Sequence, residues 1–260
     1  MVILADYKSR LMEQNPDIPE NVAEAIVVLF CSSFPDSFGY EFMSDCEKNM
    51  METTYTMGDK TEYIVNTTDN GTVTKTITIS RDFSDENPNQ IGTLIEVTTS
   101  SMFDHWKYSN GVLIEQDGLA MNTYDINSAN EETESSAVGK GLNEGVKSYL
   151  AWKSAFDNYT NYWSSPDSSI YLEVIGRYLM ETGFSNSILT SMFSGDITHF
   201  KTALIDAGID FDQLISETDL LYKAEKKRKD GSASRDTVQE IFVGISPILM
   251  ALNHSNNHQK

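Results

Sequence analysis

Side chains that could coordinate a metal ion occur together in a short acidic stretch in the first half of the chain. Asp82, Asp85 and Glu86 carry carboxylate oxygens, the ligands that Ca²⁺ and Mg²⁺ prefer in proteins. The stretch lacks the central glycine and the terminal glutamate of an EF-hand loop. These three acids are the metal-site candidates, and a solvated turn is the alternative interpretation.

Two other short patterns resemble ligand sites in part. His254 and His258 are four residues apart and would share a helix face, as two zinc ligands do, but no third ligand lies nearby in the sequence. Gly139-Lys140-Gly141 precedes a predicted helix, as a phosphate-binding loop does, yet it lacks the Walker spacing and the following Ser or Thr. A polar tail and a flexible linker are the interpretations that these patterns favour.

No arrangement of nucleophile and base stands out in the chain. The Gly-x-Ser-x-Gly pattern of a nucleophile elbow is missing from the sequence, and Cys31 lies in an apolar run that is typical of a buried thiol. Cys46 has no histidine near it in the sequence, and the 39 acidic residues offer no means of selecting a catalytic pair. The sequence therefore predicts no catalytic residue and no cofactor.

Two groups of residues are candidates for protein contacts. The first is a set of aromatic side chains at roughly helical spacing, a pattern typical of a core or of an interface: Trp152, Tyr159, Tyr162 and Trp163. The second is a basic run at the end of a predicted helix: Lys226, Lys227 and Arg228. This run either complements the helix dipole or meets the acidic surface of another subunit.

The charge of the chain excludes several classes of partner. Asp and Glu outnumber Lys and Arg by 39 to 19, and the excess is spread along the whole chain. A net charge of −20 opposes direct binding to nucleic acid and to anionic lipid. The longest apolar run, residues 23–34, is too short to span a membrane, and the N-terminal residues do not resemble a cleaved signal peptide. We therefore expect a soluble protein located in the cytoplasm or within a virus particle.

The elements of residues 1–127 predict an α+β domain. Apolar spacing predicts helices over residues 3–14 and 19–34. From residue 53 onward the pattern alternates and is rich in Thr, and Asn70-Gly71 and Asn110-Gly111 are strong hairpin signals. We expect strands at 62–67, 72–80, 93–99, 106–108, 112–116 and 118–126. These strands would form one antiparallel β-meander within residues 53–126.

The second half of the chain predicts a helical bundle. Residues 128–141 are small, acidic and bounded by glycine, which is typical of a linker, and residues 142–260 form the predicted helical domain. A helix over 211–229 and a last helix that begins at Ser234 and is interrupted at Pro247 are expected there. The predicted class is α+β, with N-terminal helices, an antiparallel meander and a C-terminal bundle.

Together these features favour a noncatalytic structural or interaction protein with protein partners. Such a protein would form a homo-oligomer or belong to a large assembly such as a virus or phage particle. Two alternatives remain open from the sequence. An acidic protein can imitate nucleic acid and inhibit a DNA-binding protein, although this would require roughly 20 negative charges on one face. An enzyme that uses carboxylate or metal chemistry without a recognisable motif is the other alternative.

Overall fold

The computed structural model describes residues 2–67, 72–109, 112–125, 138–158 and 169–256. Their contacts divide the chain into two compact units, Met1–Met102 with Leu150–Pro166, and Phe103–Tyr149 with Asp167–Lys260. Residues 128–137 of the predicted linker 128–141 lie outside the described residues, and its last two residues belong to the helix Lys140–Asn158. The predicted α+β class is confirmed, with helices at both ends and two small sheets between them.

The first unit begins with helices that pack on one another. The N-terminal helices are α1 (Val2–Gln14) and α2 (Glu20–Val28), and a π-helical turn (Leu29–Ser33) joins α2 to α3 (Phe34–Phe38) and α4 (Met43–Glu52). Asn15 links α1 to the first strand, since its side chain donates to the Leu11 carbonyl and accepts from the Tyr55 amide at 2.8 Å. The segment predicted as a helix over 19–34 is helical from Glu20 onward, with Pro19 as its extended N-cap, and it changes its hydrogen-bonding pattern at Leu29.

The first sheet has three strands, β1 (Thr54–Gly58), β2 (Glu62–Thr67) and β3 (Val73–Ser80), in the order β1-β3-β2. The predicted hairpin is confirmed because β2 and β3 are antiparallel, with Tyr63 opposite Ile77. The pairing of β1 with β3 is parallel, which corrects the expectation of a wholly antiparallel meander. Tyr55, Ile77 and Ile79 are buried and form the inner face of this sheet.

The predicted strand over residues 93–99 is wrong, because these residues lie in α5 (Pro88–Met102). β-branched residues favoured a strand there. The buried positions Ile91, Leu94, Ile95, Thr98 and Met102 instead follow helical spacing. This face packs on β2 and β3, so tertiary burial overrides local propensity, and the single predicted meander becomes two separate sheets.

The second unit contains the other sheet, β4 (Asp104–Ser109), β5 (Val112–Asp117) and β6 (Ala120–Asp125), paired antiparallel in sequence order. This sheet confirms the predicted strands at 106–108 and 112–116, and the strand predicted over 118–126 is observed over Ala120–Asp125, after a turn at residues 118–119. Beside it stands the first half of α6 (Lys140–Asn158). Lys147 of that helix forms an ion pair with Asp117, and Asn143 donates to the same carboxylate.

The other elements that the structure describes in the second unit are helices. They are α7 (Ile170–Leu179), a π-helical turn (Met180–Phe184), α8 (Ser185–Ser194), α9 (Thr198–Asp206), α10 (Phe211–Lys229) and α11 (Arg235–Asn256). The rings of Phe184, Phe200 and Phe211 pack edge to face in the core. The predicted bounds of α10 are confirmed, whereas the predicted interruption at Pro247 is wrong because α11 continues through it. Proline has no amide hydrogen, so the carbonyl one turn before Pro247 lacks its helical hydrogen bond. Because Pro247 is exposed, water can hydrate that carbonyl.

Candidate functional site

The three metal-site candidates lie in the loop between β3 and α5, where local hydrogen bonds order the backbone. Gln90 accepts from the Ser84 amide at 2.6 Å and donates to the Asp82 carbonyl at 3.2 Å, and the Glu86 amide donates to the Ser84 hydroxyl. Nowhere in the described ranges does a group of three or more His, Cys, Asp or Glu side chains form that could hold a metal ion. The structure therefore does not gather Asp82, Asp85 and Glu86 into a coordination site.

The Gly139-Lys140-Gly141 segment does form an anion position at the start of α6, and the chain itself occupies it. The Gly139 amide donates to one oxygen of the Asp219 carboxylate and the Gly141 amide to the other, both at 2.8 Å. Gly139 adopts a positive φ of 82°, which favours glycine. An internal carboxylate thus takes the place that a phosphate would need.

The two cysteines are buried in the first unit and make poor nucleophiles. Burial raises the pKa of the Cys31 thiol to about 11, and burial also raises the pKa of Cys46. Both thiols are therefore protonated near neutral pH, whereas cysteine catalysis needs the thiolate. This agrees with the interpretation of Cys31 as a small buried residue in an apolar run.

The aromatic candidates for an interface are described only in part. Trp152 is half-buried in α6. Tyr159, Tyr162 and Trp163 lie outside the described residues, so their role at a contact stays a prediction.

The basic candidates form the exposed C-terminal end of α10, and several of their groups are engaged within the chain. Arg228 forms an ion pair with Glu225, between Nε and Oε2 at 2.7 Å. The Lys226 ammonium lies 5.4 Å from the centre of the Tyr222 ring, and the Lys227 carbonyl accepts from the Ser232 amide at 2.7 Å. These cations also complement the negative end of the helix dipole.

A cleft of about 250 Å³ opens beside this basic end, within the second unit. Its lining residues are Glu144, Ser169, Leu172, Tyr222, Glu225, Lys226 and Lys229. Glu225 is only 3% exposed, and its carboxylate accepts from the Ser169 hydroxyl at 2.8 Å and from Arg228. None of the described residues that line the cleft is His or Cys.

The last helix presents a surface that the sequence interpretation missed. In the second half of α11, every exposed position from 243 to 251 is apolar, and these positions are Val243, Gly244, Pro247, Met250 and Ala251. Val243 is 59% exposed and Met250 is 64% exposed. At 100° per residue these five positions cover an arc of about 120°. We refer to these residues as the α11 face.

The buried side of the same helix explains why this face is exposed. Val238, Ile245 and Leu249 are buried, and Phe242 contacts the Tyr171 ring of α7 with 4.9 Å between ring centres. α11 also packs along α10. Because α11 carries apolar residues on its buried side and on the α11 face, its composition alone does not show that one of the two sides is exposed. The spacing of Asp236, Glu240, Val243, Pro247 and Met250 in steps of four and three was the sequence signal that could have revealed it.

None of the described helices is long and apolar enough to cross a lipid bilayer. Comparison with protein-family models gave no match to this chain, and searches of curated proteins and of solved structures gave none either. The functional proposals below therefore rest on the residues themselves.

Proposed function

We propose that this chain is a noncatalytic structural or interaction protein that assembles with copies of itself through the α11 face. The observation that supports this proposal is the run of exposed apolar positions from Val243 to Ala251. Contiguous exposed apolar surface on a folded protein is typical of contact sites. Such a protein would suit a homo-oligomer or a component of a larger assembly such as a virus or phage particle.

The shape of the α11 face supports close contact with another helix. Among the described residues, and apart from the neighbouring backbone of its own helix, no heavy atom lies within 4 Å of the place where a Cβ of Gly244 would stand. Ala251 is one heptad further along the same face. Small residues at a helix interface let two helix backbones approach closely. Val243 and Met250, also one heptad apart, provide the apolar side chains that such a contact buries.

A charged substitution on the α11 face tests this proposal. We expect Val243→Asp to reduce the sedimentation coefficient of the assembled protein to that of the monomer, since a buried unpaired carboxylate opposes association. Val243 is exposed, so the substitution should leave the fold intact, which circular dichroism checks.

Ile205→Asp is the matched control, because Ile205 is a comparably exposed β-branched residue, 56% exposed, on α9. This variant should assemble like the wild-type protein. Equal loss of assembly in both variants would point to a general effect of added charge, and retained assembly in Val243→Asp would contradict the proposal.

A further inference from the structure

We infer that the partner of the α11 face is α11 of a second copy, packed antiparallel about a two-fold axis at Pro247. This inference rests on the proposed function and adds to it the identity, direction and register of the contact. It requires the face to be complementary to itself, because a two-fold interface brings the same patch of both subunits together.

The register about Pro247 pairs large residues with small ones. In an antiparallel pair centred on position 247, position 244 of one copy lies opposite position 250 of the other, and position 243 lies opposite position 251. Met250 therefore faces Gly244, and Val243 faces Ala251, each pair occurring twice. Large residues that face small ones interdigitate without voids or clashes. A parallel pair in register would instead set Met250 against Met250 and Gly244 against Gly244.

Charge favours the same arrangement. The exposed positions that precede the α11 face on the same arc are acidic, Asp236 and Glu240. The antiparallel register sets the two copies of Glu240 about 21 Å apart along the helix axis, so their carboxylates repel each other only weakly. A parallel pair would place Glu240 against Glu240, and like charges directly opposite each other are unfavourable.

The dimensions of the helix limit how strong this contact can be. A helix of 22 residues is about 33 Å long. Pairing one helix with its copy buries less than the roughly 800 Å² per partner of a standard interface. The net charge of −20 on each copy adds repulsion, which salt screens. We therefore expect a dimer that dissociates on dilution and is favoured by salt.

Cysteine cross-linking distinguishes the direction and the register. The native Cys31 and Cys46 are buried, at 7% and 0% exposed, so an introduced surface cysteine is the reactive thiol. In the antiparallel pair the two copies of position 247 are adjacent, whereas the two copies of position 240 are about 21 Å apart along the helix axis. A disulfide requires Cα atoms within about 7 Å.

With a mild copper(II) oxidant, we expect Pro247→Cys to form at least about ten times more covalent dimer than Glu240→Cys on a non-reducing gel. A second test does not alter Pro247. A mixture of Val243→Cys and Ala251→Cys chains should yield the mixed disulfide, which mass spectrometry identifies, in preference to either like pair.

The possible outcomes separate this inference from the proposed function. Efficient linkage of Glu240→Cys, with assembly still abolished by Val243→Asp, would overturn the antiparallel register and leave the proposed function in place. No linkage at position 247 and no mixed disulfide, with assembly unaffected by Val243→Asp or with only monomer present, would overturn both.

Discussion

At the scale of single residues, Asp219 explains why a glycine-rich segment that resembles a phosphate loop has a structural use here. Its carboxylate accepts from the amides of Gly139 and Gly141 and so satisfies two donors at the start of α6. The carboxylate also lies at the positive end of the helix dipole. The Asp219 side chain thereby connects α10 to the beginning of α6 within the second unit.

Removal of this carboxylate should destabilise the protein measurably. We expect Asp219→Ala to lower the free energy of unfolding by about 1–2 kcal/mol, as the loss of a helix cap does, and Asp219→Asn to cost less because one oxygen acceptor remains. The midpoint of urea unfolding measures the change.

Asp212→Ala is the control on the same helix, since the Asp212 side chain is 84% exposed and forms a loose ion pair of 3.6 Å with Lys201. It should cost about 0.5 kcal/mol or less. Equal effects of the Asp219 and Asp212 substitutions would show that the two amides are satisfied in another way.

At the scale of elements, the close crossing of α6 and α7 depends on glycine at two positions. A Cβ added to Gly145 would stand 2.2 Å from the Leu172 carbonyl oxygen, and one added to Gly176 would stand 2.1 Å from the Gly145 carbonyl oxygen. These are backbone atoms, so the helices would have to separate to accommodate a methyl group.

We expect Gly145→Ala and Gly176→Ala each to destabilise the protein by about 1–3 kcal/mol through overpacking, despite the better helix propensity of alanine. Gly244→Ala in α11 should instead be neutral or stabilising by up to about 1 kcal/mol, because nothing lies near the added Cβ. Thermal unfolding at low protein concentration measures all three variants, and the same sign for all three would contradict the close crossing.

The elements also show what the sequence could and could not predict. α10 was predictable because Asp210 caps the helix and a lysine-rich turn ends it. Both hairpins were predictable from the sequence signals Asn70-Gly71 and Asn110-Gly111, which themselves lie outside the described residues. α5 was not predictable from local sequence. Its residues 93–99 are rich in Thr, Ile and Val, which favour a strand, and only packing on β2 and β3 selects the helix. The parallel pairing of β1 with β3 leaves no local signal in the sequence.

The sequence predicted the basic residues of the candidate contact surface but not the exposed apolar surface of α11. The basic residues 226–228 lie where the sequence predicted, at the end of α10. The α11 face was missed because Pro247 suggested an interruption, and because an apolar helix does not reveal which of its sides neighbours will cover. Only the burial of Val238, Ile245 and Leu249 separates the inner side of α11 from the exposed one.

At the scale of the whole molecule, charge and assembly oppose each other. A chain with a net charge of −20 repels its own copies at low ionic strength, so the α11 face must overcome this repulsion in order to pair. Screening at about 0.15 M salt shortens the range of the repulsion to about 8 Å and leaves apolar burial almost unchanged. Association that increases with salt is therefore the expected behaviour.

The native mass of the wild-type protein tests the central claim most directly. Light scattering from about 1 to about 100 µM, a range suited to weak association, should show the mass rising from one chain towards two, with more dimer at moderate than at low salt. The mass of a single chain at every concentration and salt would contradict self-assembly through the α11 face.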